Sequence, residues 1–421
     1  MTRSTMSLGQ HELRLFLRQR LALPILLLTA LLSIASVWAG MAEVARQHDT
    51  IARIQPQQAK DVAAIAKWVS KEGDAGSAAY YTFHATWDTP SPLAFAAIGQ
   101  RDVAPYILRI RSLGLEAQLY ESENYNAELA LPGRFDWAFV LTYLAPLFVI
   151  VLLHDLKSGE REAGRIGLLA AMARNERGLW RRRIGWRLGF LLAALLIPFV
   201  IGAVLSGAEA LAVLSFALVT IAYLMFWAVL CLWIGSWGWS SVTNAATLAA
   251  SWLVLTLILP ALANLAINAA IPVRQGVELA LEQREKIHGG WDKPRAETMR
   301  AFYKVHPEWK ASDIPETGFS YKWYHAFQHL GDRAAAPQAA AYRAGLEARD
   351  DWSARIGIAL PAVGVQTILH RLAQTDLKAG LAYQERVRAY HEKLRRFYYP
   401  YIFNEAPFRE DDFAKAPRWA R

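Results

Sequence analysis

The chain is poor in several things at once. It has one cysteine, Cys231, so no internal disulfide can staple it. Only 20% of its 421 residues are charged, where a soluble domain of this size carries roughly a quarter. No G-x-x-x-x-G-K-[ST] is present and the dipeptide Gly-Lys never occurs, so the chain has no phosphate cradle for ATP hydrolysis. G-x-S-x-G and H-E-x-x-H are also missing. Cys231 lies inside an apolar run with no adjacent base to activate it. These absences exclude a disulfide scaffold, a self-sufficient ATPase and the common serine and zinc hydrolases. Internal repeats, low-complexity runs and Gly/Ser linkers are absent too.

What the chain has instead is apolar length. Hydrophobic residues make up 54% of it, and mean hydropathy is +0.14. A helix rises about 1.5 Å per residue and the hydrocarbon core is about 30 Å thick, so a span needs roughly 20 apolar residues. Residues 21–41 carry no charge, and 188–206 follow a very basic stretch. Residues 137–153 reach span length with their flanks. From Ala210 to Val273 there is no Asp, Glu, Lys, Arg or His; this run makes two spans, 210–234 and 242–268, with Gly235–Ser241 turning between them. The expected fold is an all-α polytopic membrane protein with five clear transmembrane helices and largely helical exterior insertions. Ile356–Leu369 is apolar but short; a buried or interfacial helix is the simpler expectation, and a sixth span the alternative.

Charge placement sets the orientation. Arg3, Arg14, Arg18 and Arg20 precede the first span, and residues 154–187 are dense in arginine, so both face the cytoplasm. Residues 1–20, where Leu13, Phe16 and Leu17 interleave with arginines, form a cytoplasmic amphipathic helix. Val37-Trp38-Ala39 would pass as a cleavage site, but the long basic region before it argues for an uncleaved span. Residues 42–136 and 272–421 are then exterior domains. The net charge of +9 belongs to this membrane pattern rather than to nucleic acid.

No span carries a charge in its interior, so the spans cannot bind and release a driving proton or ion. Asn244, Thr256 and Asn264 serve as glue between helices. In the exterior part, His325, His329 and Asp332 share helical spacing, yet without a third well-spaced ligand no metal is expected. Tyr321, Trp323, Tyr324 and Phe327 read as the core of a small domain, with a binding surface the alternative, and Phe397–Phe403 as a core strand or turn, or else a membrane- or partner-facing patch.

The richest stretch is Asp155–Arg187. Spacing alone leaves it open between a short amphipathic helix and a solvated basic loop. Arg174, Arg177, Arg181, Arg182 and Arg183 suit anchors on lipid phosphates. Arg134-Phe135-Asp136 opens the second span, and Ser158-Gly159-Glu160-Arg161-Glu162-Ala163-Gly164 follows it, continuing through Ile166 to Leu169. This order resembles the permease subunits of ABC type-2 transporters, in which E-R-x-x-G-T-x-x-x-L follows the second span. Glu160, Arg161, Gly164 and Leu169 match, and Arg165 replaces a small polar residue. Ala373-Gln374-Thr375-Asp376 and the exterior insertions are similar to one subgroup of those permeases.

The resemblance implies a coupling helix docked on a separate ABC ATPase. Glu160, Arg161 and Glu162 would form ion pairs there, and Leu168, Leu169 and Met172 an apolar ridge. It further implies a bacterial inner membrane, a second permease copy or paralogue, and ATP-Mg bound by the partner, with no cofactor in this chain and no enzymatic activity of its own. Export of a substrate is the direction it favours. The competing reading is a non-transporting scaffold or sensor whose exterior domains bind a ligand or partner.

Overall fold

The computed structural model describes residues 8–72, 74–120, 134–172, 175–273, 276–310 and 318–419. The protein is an all-α polytopic membrane protein, and five of its helices are long and apolar enough to cross a bilayer. Helix α1 (Leu8–Leu17) precedes α2 (Ala22–Glu72), the first span. A short helix α3 (Ala75–Tyr81), strands β1 (His84–Trp87) and β2 (Ile107–Ile110) and α4 (Leu115–Tyr120) follow. The second span, α5, joins Trp137–Phe139, a π turn at Val140–Leu144 and Ala145–Leu153. Short α6 (Ser158–Glu162) and α7 (Ile166–Met172) lead to α8 (Glu176–Leu205) and α9 (Ala210–Gly235). The fifth span, α10, joins Ser241–Leu253, a π turn at Val254–Ile258 and Leu259–Ala270. Then come α11 (Gly276–Trp291), α12 (Arg295–Val305), α13 (Tyr321–Ala359), α14 (Pro361–Leu372) and α15 (Leu377–Phe403).

The first span does not stop at the membrane. Nothing between 41 and 55 breaks a helix, so α2 continues as one rod of 51 residues, about 75 Å long. Its inner half packs along α8 and its outer half braces the extramembrane unit. Gly40 lets the two halves fit: a Cβ there would lie 1.9 Å from the Phe95 carbonyl oxygen.

Two hydrophobic cores result. One lies in the bundle, around Trp137, Leu141, Leu191, Phe199, Phe216 and Trp227. The π turn of α5 displaces backbone carbonyls from their helical partners. Neighbours use them: the Tyr223 hydroxyl donates to the Thr142 carbonyl (2.8 Å) and the Trp252 indole to that of Tyr143 (3.1 Å). Asn244 donates to the His154 carbonyl (3.3 Å), as glue between α10 and α5. Asn264 instead accepts from Asn268 within its own helix.

The second core belongs to the extramembrane unit, around Phe302, Trp323, Phe327, Tyr398, Tyr399 and Phe403. Trp323 and Phe327 are buried here, as a domain core requires. Phe397–Phe403 is neither strand nor turn: it is the last two turns of α15, with Tyr398, Tyr399 and Phe403 facing inward. The small β1–β2 ribbon is antiparallel, with His84 opposite Ile110 and Trp87 opposite Ile107.

Residues 356–369 are divided between α13 and α14, because the chain turns at Leu360. At 12 residues α14 is about 18 Å long, too short for a bilayer. It lies against α9, and Gln366 donates to the Tyr143 hydroxyl (3.2 Å). The α13–α14 turn needs bare backbone, since a Cβ on Gly364 would sit 2.3 Å from the Gly357 carbonyl oxygen.

The two units meet through the motifs flanking them. Asp136 caps α5 by accepting from the Phe139 amide (2.8 Å) and also accepts from the Ile98 amide (2.8 Å). Burial pushes its carboxyl up to about 6. On the other side of the same loop, the Thr375 hydroxyl donates to the Ala97 carbonyl (2.7 Å) and the Gln100 amide to that of Thr375 (2.9 Å). Ala373–Asp376 is therefore the joint between α14, seated on the spans, and α15, the spine of the outer unit.

Acid should loosen that outer unit. His84 and His325 are buried, which pushes both from the ordinary 6.5 down to about 4; for His325 the Arg395 charge adds to the effect. Both stay neutral in the fold, whereas the unfolded chain takes up a proton near 6.5. Their contribution is whole above 6.5 and is lost as pH falls toward 4, on the order of 3 kcal/mol for each. The thermal midpoint of the outer unit, followed by tryptophan fluorescence, should fall steadily across that window. A flat midpoint would mean that these histidines titrate freely.

Candidate functional site: the loop between the second and third spans

The loop after α5 is a hook of two short helices. Gly164 turns the chain between them at φ +68°, a conformation that favours glycine. A Cβ there would meet nothing within 4 Å, so the demand is conformational rather than steric. The Gly164 and Arg165 amides close the turn on the carbonyls of Arg161 and Glu160, both at 2.9 Å.

The charged face of the hook is turned back onto its own chain. Glu160 accepts from Arg165 (2.6 Å) and Arg183 (2.8 Å), and Arg183 also donates to Glu12 of α1 (2.9 Å). Glu162 accepts from the Ser241 amide (2.6 Å) and hydroxyl (3.0 Å) at the start of α10, where the helix dipole favours an anion. Arg161 donates to the Trp239 carbonyl. The Ser158 and Ser241 hydroxyl oxygens lie 2.9 Å apart. The three residues expected to pair with a partner chain thus hold the hook to α8 and to the segment entering α10, while Arg183 links α8 to α1.

The apolar residues divide. Leu168 is 61% exposed and points away from the bundle. Leu169 is half-buried and lines a cavity against α1. The backbone of Met172 ends α7, and its side chain lies outside the described residues, as does Arg174. Arg177 and Arg181 are exposed on α8, in keeping with a surface role. Arg182 is half-buried, and Arg183 is packed against Trp180 (5.3 Å from guanidinium carbon to ring centre), its donors spent on Glu12 and Glu160. Arg183 is therefore a tie between helices and does not reach out to headgroups.

Sequence reasoning missed Glu12, Arg187, Trp239 and Ser241. A lone acid in the basic amphipathic stretch was the one available signal for Glu12. The others are joined to the hook only by folding.

The histidine pattern does not converge. His325 Nε2 faces the Gly76 carbonyl oxygen (3.3 Å), His329 lies between Tyr399 and His306, and Asp332 accepts from Arg395 (2.6 Å). No group of three or more metal-ligating side chains occurs among the described residues.

Comparison with known proteins reaches one part of the chain. Residues 277–421, from α11 to the end, match a family model described as "Domain of unknown function (DUF3526)". No curated protein and no solved structure matches the chain.

Proposed function

We propose that this chain is the membrane-spanning permease subunit of an ATP-driven ABC transporter in a bacterial inner membrane, with its amino terminus and hook in the cytoplasm. A separate ABC ATPase, binding ATP-Mg, docks on the hook, and a second permease copy or paralogue completes the pathway for an exported substrate. The observation that carries this reading is the division of labour within the hook. Its charged face is tied to α8 and to the start of α10, and through Arg183 of α8 to α1, while Leu168 stands 61% exposed. A loop built this way can take a push at an apolar knob and pass it into the bundle. A loop that only marked topology would need neither the ties nor the knob. The uncharged spans support the same reading, since they require an external source of energy.

The test is co-purification. Full-length tagged protein should bring down a subunit that carries G-x-x-x-x-G-K-[ST] and hydrolyses ATP, and Leu168→Arg should abolish the association. A charge at the centre of a buried apolar contact costs several kcal/mol, so the loss should be at least about 100-fold. An ATPase that binds the wild type and Leu168→Arg equally would defeat docking at this knob. Recovery of no ATPase at all would favour the scaffold or sensor reading.

A further inference from the structure

A cavity of about 370 Å³ opens between α1, the hook and the start of the third span. Arg187 lies in its wall and is only 5% exposed. One end of its guanidinium, Nη2, donates to Gln19 (3.2 Å), and the group lies 6.0 Å from the Phe16 ring centre. The other end, Nη1, is buried and has no hydrogen-bond partner among the described residues. A buried guanidinium with an open N–H is costly unless something satisfies it.

The neighbouring charges do not fill that need. Arg165 and Arg183 share the cavity with Glu12 and Glu160. Both carboxylates are taken: Glu160 by Arg165 and Arg183, Glu12 by Arg183. Asp155 acts on Arg187 through space. Among the lining residues three guanidinium groups stand against two carboxylates, with Asp155 acting on Arg187 from outside the lining, and the guanidinium with an unpartnered nitrogen is that of Arg187. The rest of the wall is apolar, with Leu15, Phe16, Leu169 and Trp186. A guanidinium in the wall of a mixed polar and apolar cleft at the membrane boundary suits a phosphate oxygen, with Leu15, Phe16, Leu169 and Trp186 able to take hydrocarbon behind it.

We infer that this cavity binds a phosphate group through Arg187, with Arg165 at its rim, and that an anionic phospholipid supplies the group. The lipid would wedge α1 to the hook at the membrane surface. The inference rests on the spans and the cavity alone and stands whether or not an ATPase docks on the hook.

The test uses full-length protein in phosphatidylcholine nanodiscs containing phosphatidylglycerol, with bound lipid followed by native mass spectrometry. Wild type should retain phosphatidylglycerol preferentially. Arg187→Gln should weaken retention about tenfold or more, and Arg187→Lys, which keeps charge but loses the fork, should fall between. Arg165→Gln, at the exposed rim, should weaken it severalfold and guards against misfolding of the buried variant. Excess inorganic phosphate separates the sources. Lipid that resists displacement has its acyl chains seated in the cleft, as inferred. Full displacement would overturn the lipid assignment while keeping a phosphate site. Equal retention by wild type, Arg187→Gln and Arg165→Gln would overturn the site itself.

Discussion

Arg395→Ala should lower the stability of the outer unit by about 3–5 kcal/mol, the cost of stripping the partner from a buried charge. Arg395 is 6% exposed and donates to Asp332 (2.6 Å) and to the Leu113 carbonyl (2.9 Å). Asp332 in turn accepts from the Leu115 amide (2.7 Å) at the start of α4 and from Gln283 of α11. The pair therefore knots four helices, α4, α11, α13 and α15, at one point. Burial already holds the Asp332 carboxyl above its ordinary range, against the pull of Arg395. Without Arg395 the carboxyl rises further. The penalty relative to wild type should be full at neutral pH and shrink as pH falls and Asp332 takes up a proton. Thermal unfolding followed by tryptophan fluorescence measures both effects. Arg395→Met with Asp332→Leu should recover part of the loss, because an apolar pair leaves no stranded charge but takes the acceptor from the Leu115 amide and Gln283. A single variant within 1 kcal/mol of wild type would show that water reaches this site.

The second large effect concerns transmission and follows from the proposed function. Glu160→Ala removes the Arg183 bond that ties the hook to the third span and the Arg165 bond that closes the hook on itself, each worth roughly 1.5–3 kcal/mol as a charged hydrogen bond, and leaves Leu168 untouched. The ATPase should still bind. Substrate movement per ATP hydrolysed should fall at least about tenfold, because the push is no longer delivered to α8. Leu168→Arg should show the reverse order, with docking lost first. If Glu160→Ala lost the ATPase outright, Glu160 would belong to the docking face and the lever reading would be wrong. The ties of Glu162 to Ser241 give a control, since Glu162→Ala should uncouple the fifth span in the same manner.

The two variants differ in how far the sequence foretold them. Leu168 could be picked out from a short apolar run following a turn glycine, Gly164, and the structure leaves it 61% exposed. The role of Glu160 could not. In the linear chain it reads as one of several exposed charges in a basic loop. Its partner Arg183 lies 23 positions away, Glu12 is further still, and Ser241 is 79 positions from Glu162. Charge pairing over such distances is decided by which helices pack side by side. Residue type alone is silent on it. The same holds for His325 and His329: they share the face that meets Tyr399, as their spacing suggested, but packing gives their nitrogens different partners.

The spans needed no tertiary information. An uncharged stretch long enough for a bilayer has few alternatives to a helix, because every backbone N–H and C=O must be satisfied within it. Composition therefore determined five crossings, the place of the turns between them and the absence of an ion-binding charge inside them. Packing alone decided that the first helix runs on as a rod into the outer unit, that 356–369 folds back at Leu360, and that the charges of the hook face inward. Those outcomes depend on small differences between contacts made by distant segments, and such differences exist only once the chain has brought the segments together.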